Sequence, residues 1–154
     1  MHERTGVEKD GSHDSVEGKR VEEQSVARWT MTGWTLGIET TAHTLSFGLV
    51  DKDGIPYPAS SDTLRPDQGG IHPREAADHH KDVAADLFTS VLNQHGLTTE
   101  DIGAVAYSQG PGLGPCLRVG AAVARGLATR MDVPLIGVNH CVAHIEIGRQ
   151  QCGC

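Results

Sequence analysis

The order of strand-like and helix-like segments after residue 33 is the feature that most constrains how this chain can fold. Three extended runs of alternating or β-branched residues come first, and helical patterns then alternate with two short apolar runs. The predicted order is therefore β-β-β-α-β-α-β-α. Such an order predicts a mixed sheet with helices packed on it.

The boundaries follow from turn and cap residues. The predicted strands cover residues 34–40, 44–51, 55–64, 102–108 and 134–138, and the predicted helices cover residues 73–95, 116–131 and a last segment capped by Asn139. Pro73 suits a first helical residue and Gly96 a helix stop, while two prolines place the third strand at an edge. We therefore predict an α/β half-domain of the actin-like, ribonuclease-H-like kind.

The first 33 residues differ from the rest of the chain. They carry five basic and seven acidic residues and show no apolar periodicity. This composition predicts a disordered extension, or translation from too early a start with Met31 as the better start. The predicted folded domain therefore begins at Trp34.

Overall composition excludes several classes of protein. The net charge is −7 and no basic patch is present, so composition gives no support for nucleic acid as a partner. No stretch approaches the ~18 apolar residues of a membrane span. The four cysteines form no C-x-x-C pair and follow no secretory signal, which predicts reduced thiols in the cytoplasm.

Two histidines, His140 and His144, fall at the start of the last predicted helix. Residues i and i+4 share one helix face, so both imidazoles can reach a common atom. The helix follows a strand directly, at the carboxyl end of the sheet, where open α/β folds hold their sites. The spacing fits two ligands of an iron or zinc ion, and it fits equally two partly buried histidines that are satisfied by hydrogen bonds. No carboxylate stands out as a third ligand, and Cys141 excludes the H-E-x-x-H motif of zinc peptidases.

A glycine-rich stretch, Ser108–Pro115, joins a buried strand to a helix of small residues. A turn of this kind can aim backbone N–H groups at a phosphate. It lacks the Lys-Ser/Thr ending of a P-loop and the G-x-G-x-x-G register of a dinucleotide site. A tight crossover that packs the helix on the sheet explains it as well. The candidate anion-binding residues here are Ser108, Gln109, Gly110, Gly112 and Gly114.

The turn after the first strand begins with Glu39, Thr40 and Thr41. An acid followed by two hydroxyl residues resembles the first phosphate loop of actin-like ATPases, where hydroxyls and backbone amides face the phosphates of the nucleotide. Glu39 stands where many such folds have Asp. The same residue types also fit an ordinary hairpin turn.

Four motifs, taken together and in order, resemble one family. They are LGIETTAHT, QGGIHPREAADHH, AYSQGPGLGPCLRVGAAVARGLA and IGVNHCVAHIEIGR. They closely resemble the TsaD/Kae/Qri family of tRNA threonylcarbamoyladenosine synthases, and the resemblance runs from about Thr35 to Arg149. The second and fourth motifs are similar to the archaeal and eukaryotic branch, in which the enzyme is the catalytic subunit of the KEOPS complex.

This resemblance implies a reaction. Such enzymes move a threonylcarbamoyl group from threonylcarbamoyl-AMP to the N6 amine of the adenosine next to the anticodon of ANN-decoding tRNAs. By the resemblance, His140 and His144 correspond to the family's two histidine ligands for one iron or zinc ion, which polarises the carbonyl as a Lewis acid. The implied partners are tRNA, ATP or threonylcarbamoyl-AMP, and KEOPS subunits that include a small kinase-like companion.

The resemblance also assigns the two loops. Glu39, Thr40 and Thr41 match the first nucleotide-side loop, and Ser108–Pro115 matches the glycine loop beside the cleft. No residue is assigned as catalytic. Polar residues of the second motif are expected on a solvated face of the first helix, namely Arg74, Asp78, His79 and His80.

The end of the chain departs from the family pattern. In the family, a second α/β domain follows the H-x-x-x-H helix and supplies an aspartate ligand and most nucleotide contacts. We expect the family domain here to cover residues 34–150, residues 151–154 to be a tail outside the pattern, and the second domain to be absent, so that the chain alone is inactive. Two alternatives are a scaffold module like the family's metal-free paralogue, and an actin-like ATPase or sugar kinase, which would not explain the histidine pair.

Overall fold

The computed structural model describes residues 33–66 and 68–153. The predicted N-terminal extension lies outside these residues except for Gly33. In the described part, the strands are β1 (Trp34–Glu39), β2 (Thr44–Val50), β3 (Pro56–Thr63), β4 (Ile102–Gly110) and β5 (Leu135–Asn139). The helices are α1 (Pro73–His95), α2 (Gly114–Met131) and α3 (His140–Cys152), with a short 3-10 turn at Thr99–Asp101.

The strands form one mixed sheet in the order β3-β2-β1-β4-β5. The pairs β1–β2 and β2–β3 are antiparallel, and β1–β4 and β4–β5 are parallel. The order and the mixed pairing confirm the sequence-based prediction, and β3 lies at an end of the sheet as its prolines predicted. Because β1, β4 and β5 are parallel, their carboxyl ends meet at the same edge.

One face of the sheet carries the core. Alternate residues of β1 and β2 point to it, and α1 and α2 pack over them. The largest fully buried aliphatic and aromatic side chains are Leu36, Leu45, Phe47, Leu49, Val91 and Val105. Burying a side chain of this size stabilises the fold by roughly 1.5–3 kcal/mol, so this face anchors the whole domain.

The opposite face is more open. Side chains of β1, β2, β4 and β5 on that face, together with Ala143 and Ile147 of α3, border a groove of about 560 Å³. Helix α3 leaves large apolar side chains exposed, with Val142 at 58% and Ile145 at 70% relative exposure. No described helix is both long enough and apolar enough to cross a membrane.

Helix α1 begins and ends where the sequence predicted. Pro73 is its first residue, and Gly96 adopts φ 66°, the left-handed conformation that ends many helices. The N–H groups of Gly96 and Leu97 bond to the carbonyls of Asn93 and Leu92. These bonds satisfy carbonyls that the last turn would otherwise leave unpaired.

The prediction that four polar residues of α1 lie on a solvated face is wrong for two of them. His80 is completely buried, with Nε2 3.0 Å from the Ala42 carbonyl oxygen. The His79 side chain is only 18% exposed and its Nε2 lies 3.0 Å from Asp62 Oδ1. Both face inward because α1 packs against β2, β3 and the turn after β1, whereas Arg74 and Asp78 are exposed as predicted.

Helix α2 starts earlier than predicted, and its buried residues only partly coincide with its apolar residues at helical spacing. It begins at Gly114 rather than Cys116, and β4 continues to Gly110, so the glycine loop shortens to residues 111–113. Its apolar residues at helical spacing are Leu117, Ala121, Ala124, Ala128 and Met131, whereas its buried residues are Cys116, Gly120, Ala124 and Ala128. At Gly120 no side chain fits, because an added Cβ would collide with Thr40 Oγ1 in the turn after β1.

Candidate functional site

Three predicted motifs meet at one edge of the sheet. The turn at residues 40–43 follows β1, the glycine loop at residues 111–113 follows β4, and α3 follows β5 without a break. Their meeting point is the carboxyl end of the three parallel strands, the usual position of sites in α/β folds. The predicted location of the histidine pair relative to the sheet is therefore confirmed.

The glycine loop packs directly against the turn after β1. The Leu113 N–H donates to the Thr41 carbonyl oxygen at 2.7 Å. A Cβ at Gly112 would overlap the Thr41 carbonyl and lie 2.8 Å from Thr41 Cβ. Gly112 therefore allows two backbones to touch, a role that no residue with a side chain could fill without shifting the loop.

Thr40 anchors the same turn on the side that faces α2. Its side chain is buried and lies against Gly120 of α2, where an added Cβ would collide with Thr40 Oγ1. The Thr40 hydroxyl therefore faces the helix. Of the two threonines predicted on the nucleotide side, only Thr41 brings its hydroxyl to the histidines, with Oγ1 3.4 Å from His140 Nδ1.

Glu39, the last residue of β1, is held by three neighbours. Its Oε1 accepts from the Thr41 N–H at 2.6 Å, and its Oε2 accepts from the Ser108 hydroxyl and lies 2.9 Å from His140 Nδ1. Burial opposes ionisation of Glu39, but the hydrogen bonds from Ser108, Thr41 and His140 outweigh it, so the pKa of the carboxyl is held below its ordinary value. Glu39 is therefore an ionised acceptor at neutral pH.

The histidine pair is formed by the first turn of α3. Asn139 caps the helix as predicted: its Oδ1 accepts from the N–H groups of Cys141 at 2.9 Å and Val142 at 3.3 Å. His140 and His144 meet edge to face, with ring centroids 4.5 Å apart. Their Nε2 atoms lie 3.1 Å from each other. The i, i+4 spacing thus brings both ring nitrogens to one point, as the sequence predicted.

The histidine pair fits a metal ion, although it does not complete a coordination shell. Metal–nitrogen bonds to histidine are about 2.0–2.1 Å long, so two Nε2 atoms at this separation can bind the same ion. Both imidazoles face the open groove, which gives an ion access. Within residues 33–66 and 68–153, however, no group of three or more His, Cys, Asp or Glu residues is placed to hold a metal.

The remaining predicted residues are only partly brought together. Ser108 is buried in the site, but the side chain of Gln109 turns to the neighbouring strand, against Gly137 and 3.4 Å from Tyr107 Oη. Gly110 ends β4 with φ 129°. Gly114 is exposed as the first residue of α2, with open space beside its Cα. Pleating explains the split, since successive side chains of β4 point to opposite faces.

Sequence reasoning did not connect Glu39, Ser108 and His140. Their meeting follows from the register of the strands in the folded sheet. Ile38 pairs with Tyr107 in the parallel β1–β4 ladder, which places Glu39 beside Ser108. The β4–β5 ladder then runs to Asn139, which directly precedes His140. Three polar side chains at adjacent parallel strand ends therefore converge by register alone.

Comparison with known proteins decides the family. The profile described as "TsaD: tRNA N6-adenosine threonylcarbamoyltransferase" matches residues 57–153. This chain belongs to the tRNA N6-adenosine threonylcarbamoyltransferase family. Archaeal relatives bearing that name include one from Pyrobaculum aerophilum, 54% identical over 74% of this chain and 33% of its own length. Another, from Hyperthermus butylicus, is 52% identical over 83% of this chain and 36% of its own length.

Solved structures agree on the fold. YeaZ from Pseudomonas aeruginosa superimposes with a TM-score of 0.62 at 17% identity, over 79% of this chain and 50% of that chain. This similarity and the strand order confirm the actin-like, ribonuclease-H-like fold. The chain spans about a third of the length of the threonylcarbamoyltransferases that it matches.

Proposed function

We propose that this chain is the metal-binding N-terminal part of a tRNA N6-adenosine threonylcarbamoyltransferase. The complete enzyme would move the threonylcarbamoyl group from threonylcarbamoyl-AMP to the adenosine next to the anticodon of ANN-decoding tRNAs, in the cytoplasm. The observation that carries the proposal is the pair of facing Nε2 atoms, 3.1 Å apart, on the helix that follows β5. Family membership and the names of the relatives support transfer of a threonylcarbamoyl group to a tRNA adenosine.

His140 and His144 would hold the family's single iron or zinc ion. Neutral imidazole nitrogens suit both metals. When bound, the ion would act as a Lewis acid toward the carbonyl of the acyl-adenylate. The groove beside the histidines would admit that substrate, since Glu39 and Ser108 line it together with both imidazoles. The exposed start of α2 at Gly114 offers backbone N–H groups to an anion.

The chain alone would bind metal without catalysing transfer. Its described residues supply two histidine ligands and no third ligand. A site with too few ligands binds its metal more weakly and holds the ion less firmly in place. The acidic composition also argues for help with tRNA, since the chain has a net charge of −7. We propose that KEOPS subunits, including a kinase-like companion, supply the basic surface. Formation of threonylcarbamoyl-tRNA by the purified chain would contradict its inactivity.

The test of the metal site is a zinc titration of the purified chain. Wild type should bind one zinc ion through both histidines, and His144→Ala should lose that binding because one imidazole is a weak site. Cys141→Ser is the matched control, since this exposed thiol neighbours His140 in sequence and should not contribute. Equal zinc binding by wild type and His144→Ala, or loss of binding in Cys141→Ser, would contradict the proposed site.

A further inference from the structure

We propose that Glu39 is a positioning residue, which fixes the orientation and the tautomer of His140 so that its Nε2 lone pair points at the metal site. This inference rests on the proposed function, because it concerns the same metal. It differs from the role that the resemblance implies for Glu39, which is contact with the nucleotide.

The contact between the two side chains determines the tautomer. A neutral imidazole carries one proton, and an ionised carboxylate can only accept. Glu39 Oε2 lies 2.9 Å from His140 Nδ1, so the proton resides on Nδ1 and Nε2 keeps its lone pair. That Nε2 is the atom that faces His144. A carboxylate behind a metal-binding histidine is a recurrent arrangement that orients the ring and raises its basicity.

The carboxylate is itself held in place from two other sides. The backbone N–H of Thr41 and the hydroxyl of Ser108 donate to its two oxygens. Both residues are almost completely buried, at 6% and 8% relative exposure. Glu39 is thus fixed before any metal binds, and a rigid acceptor restricts the His140 ring at little further cost in entropy.

Glu39 does not serve as a metal ligand in this geometry. Its oxygen is bonded to Nδ1, whereas the pair of facing nitrogens is made of Nε2 atoms. The carboxylate therefore acts through His140. By contrast, Glu146 lies on α3 together with His140 and carries the same charge as Glu39, but it is exposed and pairs with Arg149. Glu146 therefore provides a matched control for the loss of a carboxylate.

The first experiment determines the tautomer without metal. Long-range ¹H–¹⁵N spectra at pH 8 should show His140 protonated on Nδ1 in wild type and in Glu146→Gln. Glu39→Leu has similar volume and no acceptor, so it should lose this preference. Glu39→Gln keeps an acceptor oxygen and should retain it. A wild-type His140 protonated on Nε2, or an unchanged tautomer in Glu39→Leu, would overturn the proposal.

The second experiment measures zinc affinity in the same four proteins. Glu39→Leu should bind zinc about 10- to 100-fold more weakly, the usual effect of losing a group that orients a ligand. Glu39→Gln should fall between Glu39→Leu and wild type, because a neutral acceptor bonds less strongly than a carboxylate, while Glu146→Gln should match wild type. If Glu39→Leu does not fold, wild-type affinity in Glu39→Gln would by itself contradict the proposal.

The two measurements separate the two claims. If wild type binds zinc through His144 and both Glu39 variants bind as tightly, the metal site stands and the positioning role fails. If wild type binds no zinc through His144, the proposed metal site fails, and with it any role of Glu39 toward a metal. In that case the tautomer spectra still report whether Glu39 and His140 form the contact that the structure shows.

Discussion

The turn after β1 and helix α3 provide one histidine site between them, but they are built differently. The first half of the turn is tightly packed: Thr40 and Thr41 are 1% and 6% exposed. Helices α1 and α2 and the glycine loop all contact the turn. Helix α3 has no buried residue among His140–Cys152. The hydrogen bonds that hold it include the Asn139 cap, the contacts of its first turn with Glu39 and Thr41, and a bond from Gln150 to the Gly54 carbonyl.

This difference in packing means that the described fold fixes one histidine of the site more firmly than the other. His140 contacts the packed turn, so its ring position follows from the sheet. His144 lies one turn further along an exposed helix, and its bond to His140 is its only described side-chain hydrogen bond. The first ligand is therefore preorganised by the fold, whereas the second depends on how well α3 keeps its first two turns.

The largest expected effect comes from filling space beneath the turn. Gly120→Ala places a Cβ onto Thr40 Oγ1 and should lower the free energy of unfolding by about 1–3 kcal/mol, as overpacking in a core does. Gly148→Ala is the matched change in α3, where no atom lies within 4 Å of the new Cβ. It should be neutral or stabilise by up to ~1 kcal/mol through helix propensity.

Urea denaturation of both variants measures these energies. If Gly120→Ala unfolded at the same urea concentration as wild type, the turn after β1 would not be tightly packed. If Gly148→Ala lost as much stability as Gly120→Ala, α3 would be packed as tightly as the turn.

A smaller effect concerns the buried histidine beneath the turn. Burial lowers the pKa of His80 below 6.5 and the positive charges of His79 and His43 lower it further, while its bond to the Ala42 carbonyl and the charge of Glu39 act in the opposite direction. The unfolded chain therefore takes up the proton first as the pH falls. The contribution of neutral His80 is complete above about pH 6.5, the unfolded value, and declines below it.

Thermal unfolding between pH 7.5 and 5.5 tests this dependence. His80→Gln keeps a donor for the Ala42 carbonyl and cannot titrate, so its melting temperature should fall less steeply toward acid than that of wild type. Parallel curves for the two proteins would show that His80 does not couple the stability of the turn to pH.

Most of the fold was predictable because local signals agreed with each other. Pro73, Gly96 and Asn139 mark helix boundaries that the structure confirms, and the order of elements gave the mixed sheet. The errors arose where tertiary contacts decide. Helix α2 places Gly120 against the turn after β1 because Thr40 lies there. Helix α1 buries His80 because the same turn covers it. Neither contact follows from the periodicity of a single helix.

The site was predictable as a list of residues but less so as a set of contacts. The spacing of His140 and His144 was enough to place both on one helix face, and the structure confirms that placement. The bond between Glu39 and His140 spans 101 residues of sequence. Only the register of β1, β4 and β5 brings these groups together, and register is set by the pairing of whole strands.

X-ray absorption at the zinc edge of the zinc-loaded chain would test the central claim most directly. If His140 and His144 hold one ion, the spectrum should show two imidazole nitrogens at about 2.0–2.1 Å. The remaining positions should be filled by light oxygen or nitrogen atoms. Sulfur ligands at about 2.3 Å, or a single imidazole, would contradict a metal site built on this histidine pair.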